Sequence, residues 1–215
     1  MAPQTQQQKL KSYYQWHAPI YDASRWSFLF GRQNLIKQCR RIKPGAGQIL
    51  EIGCGTGKNL QALRNHFPSS QISGCDLSKD MLNRAAEKFS NDHQLRLKEG
   101  DYIAAPTESD KYDLILFSYI LTMTPEQFEA MIHKAYQELH PGGLIAIVDF
   151  YSSPFLLFRR WMAKNHVRLN HRWDMRLERT FTVHQLKKIP AYAGIWNYFQ
   201  FIGSKPSSHD TSSLA

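Results

Sequence analysis

The stretch that most constrains how this chain can fold is residues 49–57, which read ILEIGCGTG. It opens as a short apolar strand, carries Glu51 near the strand's end, and then sets glycines at alternate positions, Gly53, Gly55 and Gly57. Residues 58–67 follow with Leu60, Leu63 and Phe67 spaced for one face of a helix. A strand, a glycine turn and a helix make half of a nucleotide-binding unit. Glycine lets backbone approach a ligand where a Cβ would collide.

Spacing separates the glycine loops that could occupy this position. The phosphate loop of NTPases, G-x-x-x-x-G-K-[ST], would need glycine at Ile52 and a hydroxyl residue at Asn59. The dinucleotide fingerprint, G-x-G-x-x-G/A, meets Lys58 at its third position. The remaining pattern, E-x-G-x-G-x-G, resembles motif I of the class I S-adenosylmethionine-dependent methyltransferases.

Downstream elements fall at matching distances. Residues 71–76 form a second strand ending in Asp76, nineteen residues past Gly57. An acid there can accept hydrogen bonds from both ribose hydroxyls of an adenosine; the plainer role is a turn or cap residue. Ser78 suits an N-cap, and the helix behind it is apolar at Met81, Leu82, Ala85, Ala86 and Phe89. Residues 95–100 form a third strand, and residues 112–118 (YDLILFS) a fourth, buried on both faces. Thr124-Pro125-Glu126-Gln127 predicts a capping box with proline at the first helical position. His140-Pro141-Gly142-Gly143 predicts a turn into a fifth strand, residues 144–150, and the L-x-P-G-G-x pattern again resembles the family.

Strands alternating with helices predict an α/β protein with a doubly wound, Rossmann-like parallel sheet. The resemblance adds an antiparallel last strand over residues 197–205 and an N-terminal helical lid. The whole is expected to be a single methyltransferase domain. Residues 1–45 would be the lid, 46–150 the cofactor-binding core, 151–205 a substrate-side helix with terminal strands, and 206–215 a loose tail.

Family resemblance also implies the cofactor, S-adenosylmethionine, and its site. Glu51, Gly53, Gly55 and Gly57 would form the loop, and Asp76, Leu77 and Met81 the ribose side. Asp101 and Tyr102 would flank the adenine, with Ser118, Tyr21 and Arg25 completing the site.

The net charge of +9 is unevenly placed. Residues 1–48 hold eight Lys/Arg against one acid, 49–150 nine against fourteen, and 151–215 ten against three. The acidic middle is thus flanked by two basic ends, which either form a solvated surface or attract an anionic partner. Residues 154–172 interleave Phe155, Leu156, Leu157, Phe158, Trp161 and Met162 with arginines and a lysine. Such a helix either lies on a membrane interface or covers the edge of the sheet. No run of residues approaches the roughly 20 apolar positions of a bilayer span. The start is polar and rich in glutamine, and Cys39, Cys54 and Cys75 lack metal-ligand spacing. Reduced thiols and a cytoplasmic location, with peripheral membrane contact, are the expectation; no metal is expected.

A narrower resemblance lies toward the ends. HAPIYDASRWSFLFGR (residues 17–32) and FRRWMAKNHV (158–167) look like the betaine-lipid N-methyltransferases. Those enzymes trimethylate the amino-carboxypropyl head group of a diacylglycerol ether, so the resemblance implies a lipid-like amine acceptor. Aromatic faces would then hold the methylated cation, with Tyr14, Tyr21, Tyr119 and Tyr151 as the candidates. Arg25 would pair with a carboxylate, and His17 is either a proton acceptor or a packed side chain. Soluble amines, phosphatidylethanolamine and quinones are alternative acceptors, and a non-catalytic cofactor-binding protein is an alternative role. Base methylation of nucleic acid is disfavoured, because Ser118-Tyr119-Ile120-Leu121 lacks the Asn/Asp-Pro-Pro-aromatic motif.

Overall fold

The computed structural model describes residues 29–169 and 173–207. The expected helical lid and the candidates Tyr14, His17, Tyr21 and Arg25 lie outside them, apart from the lid's last stretch. That stretch carries helix α1, Arg32–Ile42.

Seven strands form one sheet in the order β3-β2-β1-β4-β5-β7-β6. The parallel part comprises β1 (Gln48–Ile52), β2 (Gln71–Asp76), β3 (Leu95–Glu99), β4 (Tyr112–Ser118) and β5 (Leu139–Ser152). β7 (Trp196–Ser204) runs antiparallel between β5 and β6 (Thr182–Ala191). The helices are α2 (Lys58–His66), α3 (Lys79–Lys88), α4 (Phe128–Glu138), α5 (Leu156–Lys164) and α6 (Asp174–Thr180). The expected doubly wound sheet with an antiparallel last strand is what the chain forms.

Each face of the sheet carries its own core. Leu35 and Ile36 of α1, Leu60 and Leu63 of α2 and Leu82 of α3 pack on one face with Leu114, Leu116 and Trp196. Phe128, Met131 and Ile132 of α4 and Leu177 of α6 pack on the other with Ile115, Phe117 and Phe201. Full burial of such a side chain contributes about 1.5–3 kcal/mol. That sum explains why the central strands β1, β4 and β7 read as nearly unbroken apolar runs.

Strand order reverses between β1 and β4, and register aligns the ends there. Ile52 pairs with Cys75 on one side and with Phe117 on the other, while Asp76 pairs with Glu99. Gly53, Asp76, Glu99 and Ser118 therefore stand level at one rim, where ligands bind in such sheets.

Three local expectations change. The Thr124 capping box does not form: the Thr124 hydroxyl donates to the Ile120 carbonyl at 3.0 Å, a 3-10 turn spans Pro125–Gln127, and α4 begins at Phe128. The Pro141-Gly142-Gly143 turn is absorbed into β5, because Lys205 exchanges backbone hydrogen bonds with Gly142 and Gly143 at 2.9 Å. Of the expected terminal strands, the one to which the sequence assigned no residues, β6, closes the edge; it is mostly exposed and carries Lys187, Lys188 and Pro190, devices that blunt a free edge.

Candidate functional site

At that rim lies a cavity with about 800 Å³ of free space, counted to its open mouth. Its walls are Gly53 and Gly55 from the glycine turn, Asp76, Leu77 and Met81 after β2, Asp101 and Tyr102 after β3, and Ser118, Tyr119 and Ile120 after β4. Nine residues proposed from sequence for the cofactor or the reaction thus meet in one place: Gly53, Gly55, Asp76, Leu77, Met81, Asp101, Tyr102, Ser118 and Tyr119.

Backbone hydrogen bonds shape the cavity. Gly53 and Cys54 both donate their N–H to the Cys75 carbonyl, at 2.9 and 3.1 Å. The Asp76 carboxylate accepts from Gly55 N–H at 2.8 Å and Ser78 N–H at 2.9 Å, pinning the glycine turn to the end of β2. Ser78 in turn caps α3, accepting from Met81 N–H at 3.4 Å. Asp101 accepts from Ile103 N–H at 3.0 Å.

Among the three glycines, Gly55 has φ +52 and a Cβ there would project into open space. A Cβ on Gly53 would lie 2.5 Å from Ile120, and one on Gly57 2.8 Å from the Phe89 ring. Gly55 thus keeps the cavity open, while its neighbours serve close packing within the protein.

Glu51 does not reach the cavity wall. It is buried beneath the turn, with Oε1 accepting from Asn59 Nδ2 at 2.7 Å and Oε2 without a hydrogen-bond partner among the described residues. Burial pushes its carboxyl up to about 8. Glu51 is therefore a positioning residue, tying β1 to the first turn of α2. Asp149, fully buried, does the same for the loop after β4. It accepts from Leu121 N–H at 2.8 Å and from Thr122 N–H at 3.2 Å, and burial raises its carboxyl to about 6.

The tyrosines divide. Tyr119 lines the cavity with φ +57, donates its hydroxyl to the Phe30 carbonyl at 2.9 Å, and meets Phe150 edge-on with ring centroids 4.7 Å apart. Burial holds its phenol well above the usual range. Tyr102 lends only its ring to the wall, since its hydroxyl donates to Glu138 at 2.8 Å. Tyr151 lies elsewhere. Its neighbour Phe150 packs in the core of α1–α3, whereas Tyr151, at an irregularity in the β5–β7 ladder, packs against the core of the opposite face. There it donates to Asp174 at 3.2 Å, and the Lys188 ammonium sits 4.5 Å from its ring centroid. That aromatic face already holds a cation, which removes Tyr151 from the candidate acceptor site.

A wider groove opens on the far side of the glycine turn. The start of α1 supplies Phe30 and Arg32, the start of α2 supplies Gly57 and Lys58, and Lys88, Tyr192 and Tyr198 complete it. Gly57 thus belongs to the groove wall and not to the cavity. Phe30 meets Tyr192 edge-on at 5.4 Å and stacks near Tyr198 at 6.4 Å. Lys88 is fixed by donating to the Thr56 carbonyl at 2.7 Å. Of these residues, only Gly57 was a site candidate from sequence.

The three cysteines are buried free thiols, and burial pushes Cys39 and Cys75 up to about 12. Among the described residues no cluster of three or more His, Cys, Asp or Glu could hold a metal.

Residues 49–143 match a family of methyltransferase domains. A trans-aconitate 2-methyltransferase of Variovorax paradoxus is 32% identical over 104 residues, covering 48% of this chain and 39% of that protein. A demethylmenaquinone methyltransferase of Lactobacillus johnsonii is 28% identical over 139 residues, 61% of this chain and 57% of the relative. The phosphoethanolamine N-methyltransferase 2 of Haemonchus contortus, solved with phosphomonomethylethanolamine and S-adenosylhomocysteine, superposes with a TM-score of 0.78 at 15% identity. That superposition covers 95% of this chain and 61% of the other. The chain spans between 39% and 60% of the length of the first curated relatives it matches.

Over residues 49–143 this chain is therefore similar to methyltransferase domains that use S-adenosylmethionine. Its cavity suits that cofactor. Two carboxylates at successive strand ends flank the apolar Leu77 and Met81, and Gly55, whose Cβ would meet no protein atom, faces the open space.

Proposed function

We propose that this protein is an S-adenosylmethionine-dependent N-methyltransferase acting on the amine head group of a lipid. The specific reaction we assign is successive methylation of diacylglyceryl homoserine to the trimethyl betaine lipid. The observation that carries this reading is the groove, where Phe30, Tyr192 and Tyr198 stand beside Arg32, Lys58 and Lys88. A homoserine head group presents an amine that becomes a fixed cation, next to a carboxylate. Aromatic faces stabilise such a cation by roughly 0.5–2 kcal/mol each, and guanidinium and ammonium groups take the carboxylate. The name of the Haemonchus contortus neighbour, an N-methyltransferase, supports an amine acceptor. So does the resemblance carried by residues 17–32 and 158–167.

Asp76 and Asp101 would hold the adenosine half of the cofactor, with the Gly55 backbone passing close to it. Bound there, the cofactor supplies an electrophilic methyl carbon. The chain's own work is to align an uncharged amine with that carbon and to exclude water from the cavity. Burial raises both Tyr119 and Tyr198 above the ordinary phenol range, so neither is a base at neutral pH. The proton released by the methylated amine passes to water in the open groove.

The quinone-directed relative motivates a second reading, since the same aromatic wall would accept a flat ring. Methyl-labelled S-adenosylmethionine offered with amine-headgroup lipids, soluble amines, demethylated quinones and RNA decides between them. Mono-, di- and trimethyl label in the lipid fraction is expected. Label confined to another pool overturns the lipid acceptor.

A further inference from the structure

Several of the large apolar side chains that stay exposed lie on one helix and the turn tied to its entry. Phe155 and the α5 residues Leu156, Leu157 and Trp161 are between 48% and 79% exposed, Leu157 the most. On α5 the buried residue is Met162, so one side anchors the helix while these side chains meet solvent. The Ser153 hydroxyl donates to the Ile195 carbonyl at 2.6 Å, tying the entry of α5 to the turn between β6 and β7. Ile195 and Tyr192 in that turn are 44% and 46% exposed. Tyr192 also lines the acceptor groove, so the apolar rim runs from α5 to the groove's mouth.

Charge is equally one-sided. Residues 150–173 contain no acid and carry Arg159, Arg160, Lys164, Arg168 and Arg172. Arg168 pairs with Glu126 at 2.6 Å and Arg159 donates to the Ser153 carbonyl at 3.3 Å. Arg160 and Lys164 have no acidic partner among the described residues. No helix among those residues is long and apolar enough to cross a membrane, so contact with a bilayer here would be interfacial.

We propose that α5 and the adjoining β6–β7 turn form a docking surface for an anionic lipid bilayer. Leu157 and Trp161 enter the boundary between head groups and acyl chains, while Arg160 and Lys164 rest against lipid phosphates. An RNA would satisfy the cations and the aromatic ring but offers no apolar volume for Leu156 and Leu157. A second copy of the chain would set its own Arg160 and Lys164 against these. The surface is argued from exposure and charge, independently of the proposed reaction. Methyl transfer to a soluble amine, with vesicle binding intact, would remove the lipid acceptor and support the docking surface.

Co-sedimentation of the full chain with phosphatidylcholine vesicles, with and without about one third phosphatidylserine, tests it. Binding is expected with the anionic vesicles and should weaken at high salt. Arg160→Gln with Lys164→Gln should lower affinity roughly thirtyfold, about the effect of two interfacial cations. Leu157→Glu with Trp161→Glu should lower it at least about tenfold, with the melting temperature and cofactor affinity unchanged. Any of four results would overturn the proposal: equal binding to neutral vesicles, binding indifferent to these substitutions, preference for an RNA oligomer at the same salt, or a dimer that Leu157→Glu dissolves.

Discussion

The cavity and the groove lie on either side of one glycine turn and are built in different ways. Cavity walls come from backbone turns at the ends of β1, β2, β3 and β4, each held by hydrogen bonds to its neighbour strand. Groove walls come from side chains delivered by α1, α2, the end of α3 and the β6–β7 hairpin. Sheet register positions most of the cavity, with Met123, Gln127 and Met131 closing it from the segment after β4, whereas the groove is assembled wholly from distant parts of the chain. A binding site of the first kind constrains short sequence motifs. One of the second kind leaves residue choice open, which suits a fold that serves many acceptors.

The largest effect tests the support beneath the turn. The folded-state carboxyl of Glu51, at about 8, lies well above its ordinary value of 4.5. The folded protein therefore binds this proton more tightly than the unfolded chain. The associated stability is fully present below the unfolded value and is lost as pH rises through 8. The unfolding free energy read from denaturant titrations should fall between pH 4.5 and about 8, with a slope of up to about 1.4 kcal/mol per pH unit. Glu51→Gln should flatten the slope, and a pH dependence unchanged in that variant would refute the buried neutral carboxyl.

Next comes the contrast within the turn. Gly57→Ala places a Cβ against the Phe89 ring and should cost about 1–3 kcal/mol of stability. Gly55→Ala carries the same kind of positive-φ strain but meets no protein atom at its Cβ, so its melting temperature should drop less than that of Gly57→Ala. Calorimetric melts of the two variants check the order, and equal losses would mean that both glycines serve packing.

Smaller effects belong to the groove. Tyr192→Ala and Tyr198→Ala should each raise KM for the acceptor roughly 2- to 30-fold, the range of one cation–π contact. KM for the cofactor should be unchanged. Tyr151→Phe should leave both constants alone and lower stability by no more than about 1 kcal/mol through its Asp174 bond. A shift in acceptor KM for Tyr151→Phe would return that side to the site.

Much of the cavity was legible because it is local. Residues 49–57 announce the turn, and the carboxyl ends of strands ending at Asp76, Glu99 and Ser118 fall together once the sheet is parallel. The groove was not legible, since Phe30, Lys88 and Tyr198 share no periodicity. Tyr151 misled because it packs on the face opposite its neighbour Phe150, and sequence does not show which face of β5 borders the groove. The bounds of β6 are not legible because an exposed edge strand with two lysines and a proline lacks the apolar alternation of a covered one. Thr124 met the composition of a capping box, but its hydroxyl found the nearer Ile120 carbonyl.

If the cavity takes the cofactor and the groove the acceptor, the two are separable across the turn. Calorimetric titration of S-adenosylmethionine into the wild-type protein, Gly55→Val and Tyr198→Ala tests it most directly. Wild type and Tyr198→Ala should bind with equal affinity, and Gly55→Val should bind at least about a hundredfold more weakly, the cost of filling space the ligand needs. Failure of the wild type to bind, or loss of binding in Tyr198→Ala with Gly55→Val unaffected, would contradict it.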